Sequence, residues 1–282
     1  MDNYQVRTMS RKDLDTAVEW AAKEDWNPGL YDADAFYATD PNGYFMGFLN
    51  NEPISSISAV SYGGKFGFLG FYITKPEYRG KGFGIQVWNK AVEYLGDQNI
   101  GLDGVVAQQE NYKKSGFKFA YRNIRYEGWG SSEATKDSTN FAMLSKIPFE
   151  QLVEYDNNLF PTPRPQFLHL WIKQPESLAI GFIDGGKIKG YGLVRKCRIG
   201  FKVGPLFADT KAIAYKLFQK MRSFVGQDSK IFLDVPEVNK QAVSLAEKHK
   251  MKPMFETARM YTKEAPSIQL QKVFGVTSFE LG

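Results

Sequence analysis

The chain predicts an α+β protein in which helices pack on a mixed central β-sheet, and it predicts that arrangement twice. Strand-like and helix-like apolar periodicities alternate along all 282 residues. Two hairpins, Gly47-Phe48-Leu49-Asn50-Asn51 leading into Ile54 and Gly181-Phe182-Ile183-Asp184-Gly185 leading into Ile188, stand 134 positions apart (181 − 47). The same shift carries Gly70 onto Gly204, Arg125 onto Arg259 and Ser115-Gly116-Phe117 onto His249-Lys250-Met251, so one unit is present in two copies. The copies are expected at residues 1–128 and 139–282, joined by a Gly-, Ser- and Thr-rich linker at 129–138.

The first copy opens with a strand at Tyr4 to Met9. A helix follows, capped by Ser10 with Asp13 three residues on and presenting Leu14, Ala17, Val18 and Ala21. A short helix is expected near Asp32 to Ala38, then strands at Tyr44 to Leu49, Ile54 to Tyr62 and Phe66 to Thr74. A glycine-rich loop leads into a helix beginning near Ile85 with Ile85, Trp88, Val92 and Leu95 on one face. A strand near Ile100 to Val106, a helix over Glu110 to Ser115 and closing strands after Phe117 complete the unit. In the second copy the corresponding long helices show Ala214, Leu217, Phe218 and Met221, then Val238, Ala242 and Leu245.

A hydrophobic content of 43% supports true cores. One cysteine, Cys197, excludes an internal disulfide framework, and two histidines leave no zinc cluster, so no metal is expected. A reducing, cytoplasmic compartment is the default, since no apolar run is long enough to span a membrane and no leader pattern follows Met1. A net charge of +5 suits anionic ligands, but the cations are scattered and no nucleic-acid motif accompanies them.

The run Arg79-Gly80-Lys81-Gly82-Phe83-Gly84 lies between a strand and a helix, where backbone N–H groups and the helix dipole can close around a phosphate. A nucleotide P-loop requires Lys-Ser or Lys-Thr after the last glycine, and Ile85-Gln86 stands there. A dinucleotide fingerprint requires a third glycine at position 85, which is Ile. What remains is Arg-x-x-Gly-x-Gly.

That loop resembles the pyrophosphate-binding motif of the GNAT acyltransferase superfamily, and Tyr112-Lys113-Lys114-Ser115-Gly116-Phe117 resembles its Tyr-x-x-x-Gly-Phe segment. The duplicated arrangement, the Gly101-Leu102-Asp103-Gly104 segment and the ending Phe274 to Gly282 are similar to tandem GNAT proteins with a YitH/HolE-type second domain. The resemblance implies two tandem GNAT folds and acetyl-CoA as cosubstrate. It places the pantetheine arm along Tyr72, Ile73 and Thr74 and the pyrophosphate on Arg79, Gly80, Lys81, Gly82, Phe83 and Gly84. Tyr112 takes the position that donates a proton to the leaving thiolate.

The implied reaction is acetyl transfer to a primary amine of a small molecule by direct attack in a ternary complex. A sensor that binds acyl-CoA without turnover and a protein lysine acetyltransferase are the alternatives. Trp26, Asn27 and Tyr31 lie where this fold admits its acceptor. Asp32, Asp34, Glu77, Glu110 and Glu127 are all possible bases, and spacing selects none. Under the 134-residue shift Arg79, Gly82, Gly84 and Tyr112 fall on Ile213, Lys216, Phe218 and Ala246, and Phe207 to Phe218 holds no glycine, so catalysis is expected in the first copy alone. His169, His249 and Cys197 read as structural.

Overall fold

The computed structural model describes residues 3–133 and 140–282. The expected linker at 129–138 therefore lies partly outside the described residues. The first copy contributes β1 (Tyr4–Thr8), α1 (Arg11–Lys23), α2 (Asp32–Thr39), β2 (Tyr44–Leu49), β3 (Glu52–Tyr62), β4 (Phe66–Thr74), α3 (Phe83–Leu95), β5 (Asn99–Val105), α4 (Gln109–Lys114) and β6 (Lys118–Trp129). The second contributes β7 (Phe141–Met143), α5 (Phe149–Asp156), α6 (Pro165–Trp171), β8 (Ser177–Asp184), β9 (Lys187–Lys196), β10 (Phe201–Ala208), α7 (Lys211–Val225), β11 (Lys230–Pro236), α8 (Lys240–Lys248), β12 (Lys252–Tyr261) and β13 (Val273–Gly275).

Local signals set these elements as the sequence predicts. Ser10 and Asp13 form a reciprocal capping box on α1, whose buried face is Leu14, Ala17, Val18, Trp20 and Ala21. Two details differ. Helix α3 starts at Phe83, not Ile85, because Gly82 caps it in a left-handed conformation, and its buried stripe is Val87, Trp88, Ala91 and Leu95 with Ile85 exposed. Val238 precedes α8 and is exposed, the helix face being Ala242, Leu245 and Ala246.

The strands form one sheet in the order β1-β2-β3-β4-β5-β12-β6-β11-β10-β9-β8-β7, with β13 added on β10. The closing strands are exchanged between the copies. β12 of the second copy pairs antiparallel with β5 of the first, while β6 of the first pairs antiparallel with β11 of the second. β6 and β12 pair with each other at the centre.

The repeated arginines sit on these exchanged strands and each reaches into the other copy. Arg125 on β6 meets Asp234 on β11 through two bonds of 2.7 Å, and Arg259 on β12 meets Asp103 on β5 at 2.8 and 2.6 Å. Both pairs have buried side chains and the two-pronged geometry that favours guanidinium with carboxylate. Asp234 is held below the usual carboxylate range by Arg125, against the upward push of burial, the largest of the opposing effects.

Three hydrophobic clusters follow from this topology. One lies under α3 and includes Ala258 and Met260 of β12; another lies under α7 and α8 and includes Tyr126 of β6. The third joins the copies through α1, α2 and α6, with the rings of Phe36 and Trp171 stacked at 5.7 Å, and takes in Val276, Phe279 and Leu281 of the C-terminal tail.

Two predictions follow from this packing. Asp234→Ala leaves Arg125 buried without its partner and should lower stability by about 3–5 kcal/mol in urea unfolding. His249, expected to be structural, stacks on Tyr215 and accepts a 2.9 Å hydrogen bond from Arg222 at Nδ1, so its ring is neutral. Burial, with Arg222 and Lys248 adding to it, pushes its pKa down to about 4. The folded state therefore binds fewer protons at this site than the unfolded chain below pH of about 6.5, and its contribution is lost as pH falls toward the folded value. The drop in Tm between pH 7 and pH 5 should be smaller in His249→Gln than in the parent.

Candidate active site

β4 and β5 run parallel and paired only from Phe66↔Asn99 to Leu69↔Leu102. Beyond that they splay, and the gap opens a cavity of about 480 Å³ that runs from the glycine loop down to the centre of the molecule. Its size and mixed apolar and polar walls suit an organic ligand. At the point of divergence β4 carries a bulge: Ser56 faces Ile73 and Ser58 faces Gly70, so Ile57 stands opposite both Phe71 and Tyr72. Phe71 adopts φ +46°, a conformation a bulky residue takes only under constraint, and the Ser56 hydroxyl donates to its carbonyl at 2.8 Å. The extra residue drops out of the β-ladder and bends the strand at the cavity wall.

At the outer end, residues 75–82 link β4 to α3. Gly80 and Gly82 have φ of +74° and +82°, and the tight turn needs the missing Cβ at both. Gly84 serves differently: a Cβ there would come within 2.9 Å of Thr74 Oγ1 and 3.0 Å of the Tyr72 hydroxyl, so glycine lets the helix start close to β4. No side chain caps α3, which leaves its first-turn N–H groups and positive dipole end available to an anion. Arg79 donates to Thr74 O at 2.9 Å and pairs with Glu24, so it fastens the loop to β4 and α1.

Tyr112 lines the other wall. Its ring stacks on Trp88 at 5.7 Å and lies over Gly104, where a Cβ would meet Tyr112 Cε2 at 2.2 Å. Burial, with Tyr72 adding to it, pushes the phenol well above its ordinary pKa, so the hydroxyl keeps its proton at neutral pH. The Gly101 to Gly104 segment thus has a packing role, since Gly101 is likewise wedged between the rings of Phe66, Phe68 and Tyr261.

Of the residues expected at the site, Tyr72, Ile73, Thr74, Arg79, Gly80, Gly82, Gly84, Tyr112 and Trp26 surround the cavity. Lys81 and Phe83 do not line it. Lys81 lies near the Tyr78 ring, and Phe83 packs on Tyr4 at 4.9 Å. Asn27 and Tyr31 are also elsewhere, because the α1–α2 segment is docked on the second copy. Asn27 bonds both the N–H and the carbonyl of Ile199, and Tyr31 donates to Glu176 at 2.7 Å. Beside them Asp32 is spent on a buried pair with Arg195.

The other carboxylates considered as bases are also placed outside: Asp34, Glu110 and Glu127 pair with Arg11, Lys113 and Lys230, and Glu77 is exposed. Three carboxylates do line the cavity, Glu24, Asp103 and Glu280. Glu24 and Asp103 are committed to Arg79 and Arg259. Glu280 belongs to the C-terminal tail, far from the motifs in sequence, and its backbone lies on the bulge: a Cβ on Gly70 would fall 2.2 Å from the Glu280 carbonyl oxygen.

The second copy keeps the splay but fills it. β10 and β11 pair from Phe201↔Ile231 to Val203↔Leu233 and then separate, and β10 bulges at Gly204-Pro205 as β4 does near Gly70. β13 occupies the gap by pairing with β10, and Val276 N–H donates to Asp234 O at 2.9 Å. A Cβ on Gly204 would fall 2.2 Å from Thr277 O, the counterpart of the Gly70 contact. The strand-to-helix connection shrinks to Asp209 and Thr210, and the Thr210 hydroxyl accepts from Ile213 N, capping α7 from within the chain. Cys197 is buried beside this region and its thiol is pushed up by burial, which makes it unreactive.

Gly104→Ala should displace the Tyr112 ring and, through it, Trp88. A shift in tryptophan emission with preserved far-UV dichroism is the expected result.

Among the described residues no group of three metal-ligating side chains occurs, and no helix is long and apolar enough to cross a membrane. The chain is 29% identical over 265 residues to the holothin acyltransferase of a Pseudoalteromonas species, covering 94% of this chain and 90% of that one. It is 25% identical over 247 residues to the uncharacterized N-acetyltransferase YitH of Bacillus subtilis, covering 85% and 86%. A putative acetyltransferase from Pyrococcus horikoshii shares the fold with a TM-score of 0.84 at 23% identity, over 99% of this chain and 96% of that one. The model of the GNAT acetyltransferase family matches residues 10–117 and that of a GNAT acetyltransferase domain matches residues 152–275. The chain is a tandem GNAT protein.

Proposed function

We propose that this protein is an acetyl-CoA-dependent N-acyltransferase that moves an acetyl group to a primary amine of a small molecule, by direct attack in a ternary complex, in the first copy alone. The observation that carries this reading is the contrast between the two strand-to-helix connections. The first is long, holds two glycines at positive φ and leaves α3 uncapped at a cavity mouth; the second is two residues long, self-capped and beside a filled splay.

In this reading the pyrophosphate rests on the amides of Gly80 to Gly84, and the pantetheine arm pairs with the main chain of Tyr72 to Thr74. Bulge N–H groups at Phe71 and Tyr72 polarise the thioester carbonyl as its oxygen gains charge. The amine nitrogen attacks the carbonyl carbon, the C–S bond breaks, and the sulfur leaves with the bonding pair. A thiol of pKa about 8.5 is a stronger acid than a phenol held above about 10, so full proton transfer from Tyr112 is uphill by at least about 2 kcal/mol. Tyr112 therefore acts first as a hydrogen-bond donor to the developing thiolate. The acceptor end of the cavity is closed by Phe255, Thr257, Phe279 and Glu280 of the second copy, which favours a small acceptor over a protein lysine.

Calorimetry should show acetyl-CoA binding that Gly82→Trp abolishes, while Tyr112→Phe spares binding and lowers thiol release on an amine panel by about 100-fold. Absence of binding by the parent protein would refute the assignment. Tight binding without thiol release on any acceptor would identify a sensor.

A further inference from the structure

Building on the transferase reading, we propose that Glu280, carried into the first copy's cleft by the tail of the second, is the general base that takes the acceptor's ammonium proton, and that the acceptor is an arylalkylamine.

The argument for Glu280 starts from its position. It is 3% exposed, lines the cavity, and stands on the main chain that covers Gly70, next to the Phe71 bulge where β4 and β5 part. It lies outside the residues matched by either family model, which end at 117 and 275. The tail around it is clamped on both sides. Ser278 Oγ accepts from Leu281 N at 3.0 Å, and Tyr62 donates to Leu281 O at 2.9 Å. Upstream, Val276 is anchored on β11, and the Phe279 ring lies 4.8 Å from the Arg125 guanidinium. A base must be held within reach of one proton, and this anchoring supplies the constraint.

The chemistry of the surrounding charges singles the residue out. The buried carboxylates Asp32, Asp156 and Asp234 and the buried carboxylate group of Asp103 are each paired with an arginine. Among the described residues Glu280 has no cation within ion-pairing distance and no hydrogen bond to its carboxylate, although Arg125, Arg195 and Lys202 all feel its charge. Those cations are engaged elsewhere: Arg125 on Asp234 and the Trp26 carbonyl, Arg195 on Asp32, and Lys202 on the same Trp26 carbonyl at 3.2 Å. Glu24, Asp103, Tyr72 and Tyr112 are the other titratable groups on the cavity wall, together with Arg79 and Tyr78 at its mouth. An uncommitted carboxylate in such a site is matched by a ligand cation, and a primary ammonium is the acceptor's resting form. The walls beside it, Trp26, Phe255 and Phe279, are aromatic, which fits an aryl group attached to that ammonium.

The step balances as follows. The ammonium N–H bond breaks toward a Glu280 oxygen, the freed nitrogen pair forms the C–N bond, and the C–S bonding pair leaves on sulfur. The amide nitrogen's second proton and that on Glu280 are released as one proton to sulfur and one to solvent.

The test uses the full chain, acetyl-CoA, and four acceptors: benzylamine, phenethylamine, tryptamine and aniline. Glu280→Gln should leave the acetyl-CoA Kd unchanged. Its kcat/KM on the three arylalkylamines should fall by about 100-fold or more at pH 7 and recover as pH rises and free amine replaces ammonium. On aniline, already neutral at pH 7, the loss should be under about tenfold by the same proton argument. Glu280→Asp should retain part of the activity. Unchanged kcat/KM in Glu280→Gln overturns the proposal. So does an equal loss on all four acceptors at every pH, which marks a positioning role. Acetyl-CoA binding without thiol release on any of the four overturns it as well. If the parent protein fails to bind acetyl-CoA, the underlying transferase reading fails instead.

Discussion

The exchange of closing strands is the constraint on which the rest of the structure depends. β5 and β11 each need an antiparallel neighbour on the side away from β4 and β10, and each receives it from the other copy. Arg125 and Arg259 travel with the exchanged strands and find Asp234 and Asp103 there. A buried guanidinium without a carboxylate is costly, so each closing strand needs an aspartate opposite its arginine. The two sites are equivalent, so the pairs hold the exchanged strands in register without by themselves selecting the exchange. Neither copy has a complete sheet or a complete core alone, since Ala258 and Met260 complete the cluster under α3 and Tyr126 joins that under α7.

Given that frame, the two copies divide one set of features between them. Both splay their central strands and both bulge at the point of parting, at Phe71 and at Gly204-Pro205. In the first the gap is left as a cavity. In the second β13 fills it, and the 209–210 connection is six residues shorter than the 75–82 loop and holds none of its glycines. A splay lined by unpaired strand edges is unfavourable when empty, because main-chain groups lose their partners. In the second copy β13 supplies such partners by pairing with β10, and Val276 N–H donates to Asp234 O.

Much of this was legible locally. Capping at Ser10, the two hairpins, the glycine loop and the 134-residue repeat all depend on neighbours in the chain, and strand limits at Tyr44 to Leu49 and Phe66 to Thr74 agree with the structure. What was hidden is non-local. The exchange leaves no trace in periodicity, because β6 and β12 each carry the same arginine at equivalent positions and either strand would satisfy the alternation of either sheet edge. Asn27 and Tyr31 lie in an aromatic-rich segment that reads as a substrate wall, but composition does not reveal that the second copy covers it. The start of α3 lies two residues before the expected one because it is set by the left-handed Gly82, not by the first apolar side chain, while Trp88 and Leu95 fall on the buried face as the sequence predicts. Glu280 lies in the ending Phe274 to Gly282 that the sequence marks as family-like, but no spacing ties it to the cavity: it is about 170 residues from Tyr112 and comes to line the same cavity only through the tail's path.

That path explains why a copy lacking the anion loop is still needed beside the one that has it. The tail leaves β13, crosses the second copy's bulge at Gly204, and reaches the first copy's bulge at Gly70 within a few residues. The two bulges lie on β4 and β10, on either side of the central strands β5, β12, β6 and β11, and the tail spans them. Filling the second splay therefore does more than satisfy its edges. It fixes the strand from which Phe279 and Glu280 extend, so that this part of the first cavity's wall is built from residues whose position is set by the other copy's core. A substitution that loosened β13 would leave the glycine loop and Tyr112 intact and still disorder the wall formed by Phe279 and Glu280, which makes the second copy part of the cavity although it holds no counterpart of the glycine loop.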